Sequence, residues 1–392
     1  MNYDFDTPVS RRGTCSNKWD GAAGQFHTNR VELPFSVADM DFACPSCVTD
    51  ALQERIRHPI FGYSTAGDRF YQAAQGWFAR RHGALLEKEW MYPTTGIITG
   101  LAFSMRALLQ PGDRVMAFSP VYHPFFAIIE SGGFLLEECE LLCHNGQYTL
   151  DYERIEMLLK SGVKGILFCN PHNPVGRVWS REEMQKLVSL CAKYGTCLFS
   201  DEAHADFSLF GNTYTPAFSF PELHGQCVTC ISGNKSFNIP GISTGILVIP
   251  DPANKEKIAA ALNGVWIKTP TILSIVACEA GFCGADEWLD AVHVYLEGNS
   301  LFLRDFLERE TPGITAAEHQ GTYLMWLDCS CFHREVGELS YLLADQYGVG
   351  LPSGENFRGD GGHHLRINIA CARSVLGQGM ERLAECYRAE VG

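Results

Sequence analysis

Residues 165–204 have the sequence GILFCNPHNPVGRVWSREEMQKLVSLCAKYGTCLFSDEAH, which gives the clearest indication of the fold class. Two short apolar runs, residues 165–169 and 196–200, have the length and composition of buried strands. Residues 181–194 lie between them and form a helical stretch. A strand, a helix and a second strand in this order predict two parallel strands of one sheet that is covered by helices.

The same alternation extends outward, from about residue 90 to residue 250. Further strand-like runs occupy residues 115–118, 228–232 and 245–249. A helix is expected after Thr94-Thr95-Gly96, because apolar residues from Ile97 to Leu109 recur at helical spacing until Pro111 stops them. The sequence therefore predicts an α/β protein with a mostly parallel central sheet.

The last hundred residues have a different pattern. A long helix is predicted over residues 287–309, followed by a strand at 323–328, another helix and a strand at 365–369. This pattern indicates a small α+β domain. We expect residues 49–287 to form the large domain, residues 288–392 the small domain, and residues 1–48 a segment that packs with the small domain.

Composition excludes several classes of protein. The chain has 392 residues, enough for two or three domains or for one large unit with an appendage. Its formal charge is 31 − 45 = −14, which makes nucleic acid and anionic membranes poor partners. With 46% hydrophobic and 19% charged residues, it has ample material for a buried core.

Targeting and redox features suggest a cytoplasmic protein. The first residues, MNYDFDTPVSRRG, lack the apolar region of a signal peptide. The longest apolar runs fall far short of the roughly 18 residues of a membrane span. Sixteen cysteines are about 4% of the chain, well below the ~8–10% of a disulfide scaffold. We therefore expect reduced thiols.

Four further motifs suggest other functions, and each of those functions is discounted. The helicase-like box at residues 201–204 lacks the Gly-Lys dipeptide that a phosphate-binding loop would need. The two C-x-x-C motifs, at residues 44–47 and 227–230, lie too far apart for a zinc ribbon. The pair His363-His364 has no metal-binding context. No metal site is predicted.

Polar and aromatic side chains follow the predicted strands where each strand ends, the place at which open α/β sheets bind ligands. These segments are residues 94–97, 119–122, 170–176, 200–204 and 232–238. Together they offer a lysine amine, a carboxylate, amide and imidazole groups, an aromatic ring and a helix N-terminus. These groups suit pyridoxal 5′-phosphate, whose aldehyde, pyridine nitrogen, hydroxyl, ring and phosphate each need one of them.

The order N-P-H-N-P-x-G, D-E-x-H and S-x-x-K-x-F-N resembles that of the fold-type I pyridoxal-phosphate enzymes of the class I/II aminotransferase superfamily. Four further motifs are similar to those of the MalY/PatB-type carbon–sulfur β-lyases: VADMDF at 37–42, FGY at 61–63, DEAHAD at 201–206 and KSFNIPG at 235–241. These lyases act on cystathionine, cysteine and related S-substituted cysteines.

The resemblance implies a role for each residue around the cofactor ring. Lys235 would form the covalent link to the aldehyde. Asp201 would pair with the pyridine nitrogen. Asn173 and His204 would contact the ring hydroxyl, and Tyr122 would stack on the ring.

It also implies roles at the phosphate, at the subunit interface and at the substrate. The phosphate would be bound at two places. Thr95, Gly96 and Ile97 would bind it at the start of the first predicted helix, and Ser232 would bind it in the loop before Lys235. Tyr63 would reach the phosphate of the neighbouring subunit, which requires a homodimer. Arg366 would bind the substrate carboxylate through a bidentate pair.

Two positions depart from the aminotransferase pattern. Ser243 stands eight residues after Lys235, where many aminotransferases have a phosphate-binding arginine, and Asn234 precedes the lysine where Ser or Thr is common. The first departure favours β-elimination that yields a thiol, pyruvate and ammonia. An L-amino-acid aminotransferase is the alternative, and a regulatory binding module with residual activity is a second one.

Overall fold

The computed structural model describes residues 3–267 and 269–392. Over these residues the strands are β1 (Leu33–Pro34), β2 (Met91–Thr94), β3 (Arg114–Ala117), β4 (Leu135–Glu138), β5 (Leu142–His144), β6 (Gln147–Thr149), β7 (Gly165–Cys169), β8 (Cys197–Asp201), β9 (Cys227–Ile231), β10 (Gly245–Val248), β11 (Thr315–Ala316), β12 (Leu324–Asp328), β13 (Val349–Gly350) and β14 (His364–Asn368). The α-helices are α1 (Ala22–Phe26), α2 (Ser46–Arg57), α3 (Asp68–His82), α4 (Ile97–Leu108), α5 (Pro124–Ser131), α6 (Tyr152–Lys160), α7 (Arg181–Tyr194), α8 (Gly233–Ser236), α9 (Pro252–Gly264), α10 (Ile272–Gly284), α11 (Asp286–Glu310), α12 (Val336–Gln346) and α13 (Arg373–Glu390).

A seven-stranded sheet forms the centre of the fold, with the strand order β2-β10-β9-β8-β7-β3-β4. Strand β10 runs in the direction opposite to the other six strands of this sheet. The register pairs Cys169 with Asp201, so β7 and β8 end side by side. The prediction of a mostly parallel α/β sheet is confirmed.

Local sequence explains why the strand–helix–strand unit forms. Every residue of β7 is buried, as expected for a strand that is covered on both faces. The Ser180 hydroxyl accepts from the Glu183 amide, and the Glu183 side chain accepts from the Ser180 amide, so a capping box starts α7. A left-handed Gly195 ends the helix. The predicted helix 181–194 is confirmed.

A second, three-stranded antiparallel sheet has the order β11-β12-β14. Near the N-terminus, β1 pairs in parallel with β13, and the Thr28 hydroxyl donates to Asp345 at 2.7 Å. The proposed boundary between residues 287 and 288 falls inside α11. The division into 1–48, 49–287 and 288–392 stays a prediction.

Several strands have no clear signal in the sequence. The β5–β6 hairpin is largely exposed, so its residues lack the apolar pattern of a core strand. Pro93 lies within β2, which is tolerated because β2 is an edge strand of the sheet. Strand β4 occupies the opposite edge and has only partly buried side chains after its first residue.

No helix in the described ranges is long and apolar enough to cross a membrane. Among the same residues, no group of three or more His, Cys, Asp or Glu side chains is arranged to hold a metal ion. The sixteen cysteines all lie in the described ranges, and each one is a free thiol.

Candidate active site

A cavity of about 860 Å³ lies where β7, β8 and β9 end and α4 begins. Both ends of the chain contribute to its wall, through residues 36–38 and Arg366. Nine of the eleven site residues expected from the sequence line this cavity: Thr95, Gly96, Ile97, Tyr122, Asn173, Asp201, His204, Lys235 and Arg366. Ser232 and Tyr63 do not line it.

Lys235 enters the cavity from α8, a helix of four residues directly after β9. Its Nζ donates a hydrogen bond to the carbonyl oxygen of Ala38. Desolvation lowers the pKa of Lys235 to about 8, and the charge of Asp39 opposes this shift. The amine is therefore easier to deprotonate than an ordinary lysine.

Asp201 is the last residue of β8 and is buried. Its Oδ1 accepts a hydrogen bond from the Ala203 amide at 3.0 Å. Burial raises the pKa of Asp201 to about 6, while Lys235 acts in the opposite direction. The carboxylate can thus be ionised at neutral pH, and a nearby cation would stabilise it.

His204 follows Asp201 by three residues and is also buried. Its Nδ1 has no hydrogen-bond partner within the described residues, and its ring packs edge-on against Tyr323, with centroids 5.4 Å apart. Burial holds the pKa of His204 well below its ordinary value. The imidazole is therefore neutral and keeps a free nitrogen for a ligand.

Arg366 lies on β14 and points into the cavity, where its side chain is buried. Nη1 donates to Oδ1 of Asn173 at 3.2 Å, and Nη2 donates to the carbonyl of Ser36. Its Nε has no hydrogen-bond partner within the described ranges, and the guanidinium lies over the Phe357 ring, 5.0 Å from its centroid. Burial lowers the pKa of Arg366 to about 10, so the group stays cationic at neutral pH.

The N-terminus of α4 faces the same cavity through Thr95, Gly96 and Ile97. No side chain of the described residues caps this helix, so its first N–H groups are suited to an anion. Space is tight here, because a Cβ on Gly96 would lie 3.1 Å from Oγ of Ser243. The Ser243 hydroxyl donates to the Thr95 carbonyl at 2.7 Å.

The structure does not bring Ser232 and Tyr63 to the cavity of this chain. The Ser232 hydroxyl donates to the Thr244 carbonyl at 2.8 Å and accepts from the Asn234 amide at 3.0 Å. It therefore caps α8 and is not free for a ligand. Tyr63 lies in the connection between α2 and α3 and is fully exposed.

The sequence does not predict the Ala38 carbonyl, which lines the cavity, or Tyr323, which binds that carbonyl without lining the cavity itself. The Tyr323 hydroxyl donates to the Ala38 oxygen at 2.9 Å, the same oxygen that accepts from Lys235. Asn368 donates to the carbonyls of Val37 and Asp39, each at 2.7 Å. The VADMDF motif indicates that residues 37–42 matter for the site, but it does not indicate a role for a backbone atom.

A cluster of ion pairs holds residues 37–42 in place through two carboxylates of that segment. Arg11 binds Asp39 with two parallel hydrogen bonds of 2.8 and 2.7 Å and reaches Asp41 at 2.7 Å. Lys18 is buried and contacts the same two carboxylates at 2.9 and 3.2 Å. Burial alone would raise the pKa of Asp39, but Arg11 and Lys18 outweigh it and hold the pKa below its ordinary value.

A pyridine aldehyde phosphate fits the donors that this cavity offers. It presents an amine of lowered pKa, a buried carboxylate, a free imidazole nitrogen on His204 and an uncapped helix N-terminus. Arg366 adds a buried cation with a free N–H for a carboxylate. The unpartnered atoms are the strongest argument, because buried polar groups are rarely left without a hydrogen bond unless a ligand or water satisfies them.

Comparison with known proteins agrees with this geometry. Cystathionine beta-lyase PatB of Bacillus subtilis is 35% identical over 382 residues, which cover 97% of this chain and 98% of that protein. Protein MalY of Escherichia coli is 30% identical, with 99% of each chain covered. The crystal structure of cystalysin from Treponema denticola, which contains a pyridoxal 5′-phosphate cofactor, has a TM-score of 0.95 at 32% identity and covers 99% of this chain and 100% of that one.

The expected fold of the type I enzymes is confirmed by this structural likeness and by the sheet order. Residues 31–383 match the family model for aminotransferase class I and II. The chain belongs to the class I and II aminotransferase family.

Proposed function

We propose that this chain is a pyridoxal-phosphate-dependent carbon–sulfur β-lyase that cleaves cystathionine, cysteine or related S-substituted cysteines. The products are a thiol, pyruvate and ammonia. The observation that carries the proposal is that Lys235, Asp201 and Arg366 line one cavity. Similarity over nearly the full length to a protein named cystathionine beta-lyase favours elimination over transamination.

Bound pyridoxal phosphate supplies an electron sink for the charge that develops at the substrate Cα. Asp201 would hold the pyridine nitrogen in its cationic form, because a close negative charge favours protonation. Asn173 and the free Nδ1 of His204 would serve the ring hydroxyl, and Tyr122 would cover a ring face. Residues 95–97 would bind the phosphate, and Ser232 would support that site only indirectly, through Asn234.

Lys235 is the group that we expect to move protons. With a pKa of about 8, roughly a quarter of the free amine is unprotonated at pH 7.5, against about 0.1% for an ordinary lysine. The amine is therefore suited to accept the Cα proton as a general base. Its contact with the Ala38 carbonyl holds it at the edge of the cavity.

Arg366 would orient the substrate by its carboxylate. A guanidinium offers two parallel N–H donors that match the two oxygens of a carboxylate. Asn173 and Ser36 accept from the two terminal nitrogens, which fixes the plane of the fork before the substrate arrives. This preorganisation lowers the entropic cost of binding.

The deciding experiment incubates purified holoenzyme with L-cystathionine and measures pyruvate and free thiol. Equal release of both supports the lyase. Exchange of the amino group with a keto acid, without pyruvate, would show an aminotransferase instead. If neither reaction occurs, the binding module is the better interpretation. Lys235→Ala, purified in parallel, controls for contaminating lyases.

We also propose a homodimer in which Tyr63 completes the partner's phosphate site. Tyr63 is fully exposed, and three apolar side chains within about seven residues of it in the sequence are more than half exposed: Ile56, Ile60 and Phe61. Several exposed apolar side chains in one segment are typical of an interaction surface, and a two-fold dimer would cover this segment on both subunits.

Co-expression of Tyr63→Phe and Lys235→Ala subunits tests this arrangement. If Tyr63 acts across the interface, each mixed dimer keeps one intact site, and activity recovers to about a quarter of wild type for random pairing. If the co-expressed subunits show no more activity than the Tyr63→Phe protein alone, Tyr63 does not act in the partner's site. Sedimentation of an active 43.5 kDa monomer would also contradict the dimer.

The sixteen free thiols support a reducing, cytoplasmic location. Localisation of a tagged full-length chain by fractionation tests this point.

A further inference from the structure

A buried carboxylate outside the cavity is not used by the proposed reaction. Asp206 closes the DEAHAD motif, five residues after Asp201, and is almost fully buried. Its Oδ1 accepts from Trp77 Nε1 at 2.9 Å and contacts His82 Nε2 at 2.8 Å. Its Oδ2 accepts from the hydroxyl of Ser236. Ser236 is the residue that follows Lys235.

The charge on Asp206 is retained in spite of its burial. Burial alone would raise the pKa of Asp206, but His82, Ser236 and Trp77 outweigh this effect and hold the pKa below its ordinary value. An ionised carboxylate in the interior is stable only when several donors satisfy it. The Asp206 carboxylate therefore fixes the side chains of Trp77, His82 and Ser236 in place.

Helix α8, which presents Lys235, cannot hold its own shape. It has only four residues. Isolated helices shorter than about 12–15 residues are marginally stable in water. Side chains on either side of the lysine hold it instead. Asn234 exchanges hydrogen bonds with the Thr244 backbone at 3.0 and 3.3 Å. Asn238, just beyond the helix, binds the backbone of Met40 at 2.9 Å.

Packing adds a further restraint on the same segment. The ring of Phe237 packs against both Trp77 and Phe282, with centroid distances of 5.1 and 5.3 Å. A Cβ on Gly233 or Gly281 would come within 2.7 or 2.3 Å of that ring. Phe237 is therefore closely packed, and the Ser236–Asp206 bond adds a polar restraint on the residue that follows Lys235.

We propose that Asp206 and Ser236 form a positioning pair that sets the orientation of Lys235 toward the cavity. Neither residue lines the cavity, and the pair acts through the backbone of α8. A small displacement of a reacting group is costly, because catalysis depends on geometry to within a fraction of an ångström. The inference rests on the proposed role of Lys235.

Ser236→Ala is the main test, because it removes one hydroxyl and leaves the packing nearly unchanged. We expect kcat for pyruvate release to fall about 10- to 100-fold, with KM within about twofold of wild type. The visible absorbance of the bound cofactor, titrated against pH, should shift its midpoint by about half a unit or more, since the lysine–cofactor linkage changes its surroundings. Asp206→Asn should act in the same direction.

Ser300→Ala is the matched control. Its hydroxyl is also buried and bonds a histidine, His319 Nδ1 at 2.9 Å, but neither residue lines the cavity. We expect Ser300→Ala to lower Tm as Ser236→Ala does, with kcat and the absorbance titration unchanged.

The double variant Ser236→Ala with Asp206→Asn should lose little more kcat than the larger single loss, because the two groups act as one unit. If Ser236→Ala lowers Tm but leaves both kcat and the absorbance titration at wild-type values, the pair is only structural and the proposal is wrong. If the wild-type protein releases no pyruvate, the lyase proposal fails, while the absorbance titration still decides the positioning role.

Discussion

Nη1 of Arg366 donates a hydrogen bond to Oδ1 of Asn173 at 3.2 Å, across 193 residues of sequence. This bond joins β14, near the C-terminus, to the loop that follows β7 in the central sheet. The residue proposed to hold the substrate carboxylate is thus bound directly to a residue proposed to contact the cofactor. This bond therefore connects the proposed substrate site to the proposed cofactor site.

Arg366→Ala should remove substrate binding energy without removing the cofactor. Loss of a charge-assisted bidentate pair costs roughly 2–4 kcal/mol, which corresponds to about 30- to 1000-fold in kcat/KM. Arg366→Lys should recover part of this loss, because an ammonium cannot form two parallel bonds. The measurement is kcat/KM for pyruvate release from cystathionine, with the cofactor absorbance of each variant as control. If Arg366→Ala stays within about threefold of wild type, the carboxylate binds elsewhere.

Asp201→Asn should keep the fold and bind the cofactor but lose most of the turnover. The amide has nearly the shape of the carboxylate, yet it carries no charge to hold the pyridine nitrogen cationic. We expect kcat to fall on the order of 100-fold or more, with a smaller change in KM. Cofactor occupancy from absorbance and kcat from pyruvate release give the two numbers. Near-normal kcat at full occupancy would mean that another group supplies the charge.

The rate at which Lys235 reacts with free pyridoxal phosphate should depend on pH through the protonation state of its amine. Only the unprotonated amine attacks an aldehyde, and burial lowers the pKa of Lys235 to about 8. With cofactor-free protein, the rate should rise about tenfold per pH unit below pH 8 and level off above it. After borohydride reduction, mass spectrometry should find the adduct on Lys235. A rate that levels off only near pH 10, or an adduct on another lysine, would contradict the assignment.

Much of the site could be predicted because its residues follow strands. Asp201 ends β8, and Lys235 comes four residues after β9. Parallel neighbouring strands place their carboxyl ends at one edge, so strand prediction alone brings these two residues together. Arg366 could not be placed in this way, because its strand belongs to a different sheet. Only the family resemblance indicated that it reaches the cavity.

One contributor to the cavity wall that could not be predicted is an atom without a sequence signature. The Ala38 carbonyl is a backbone group, and any residue type would supply it. The Ser232 hydroxyl caps α8 in the structure, and its contact with the phosphate stays a prediction. The β5–β6 hairpin could not be predicted, because these exposed strands lack the alternation of apolar and polar residues that indicates a half-buried strand.

Lys18→Met should destabilise the protein by leaving two buried carboxylates with less compensation. Lys18 is 1% exposed, and its Nζ contacts the side chains of Asp39 at 2.9 Å and Asp41 at 3.2 Å. Removing one partner of a buried pair costs about 3 kcal/mol or more, because the remaining charge stays desolvated. Methionine keeps the apolar stem, so the packing changes little. The free energy of unfolding in urea at pH 7 gives the size of the effect.

The pH dependence of that loss identifies its cause, and Lys88→Met is the control. The pKa of Asp39 is lowered in the folded state, so its stabilisation is present above the unfolded pKa of about 4 and disappears as pH falls through the lower folded pKa. The cost of Lys18→Met should therefore shrink as pH falls below about 4. Lys88 pairs with Asp68 at 2.7 Å on the surface, where both side chains are about half exposed or more, and its loss should have little effect on stability at any pH because solvent screens the pair. Equal small losses for both variants would show that the buried cluster contributes no more than a surface ion pair.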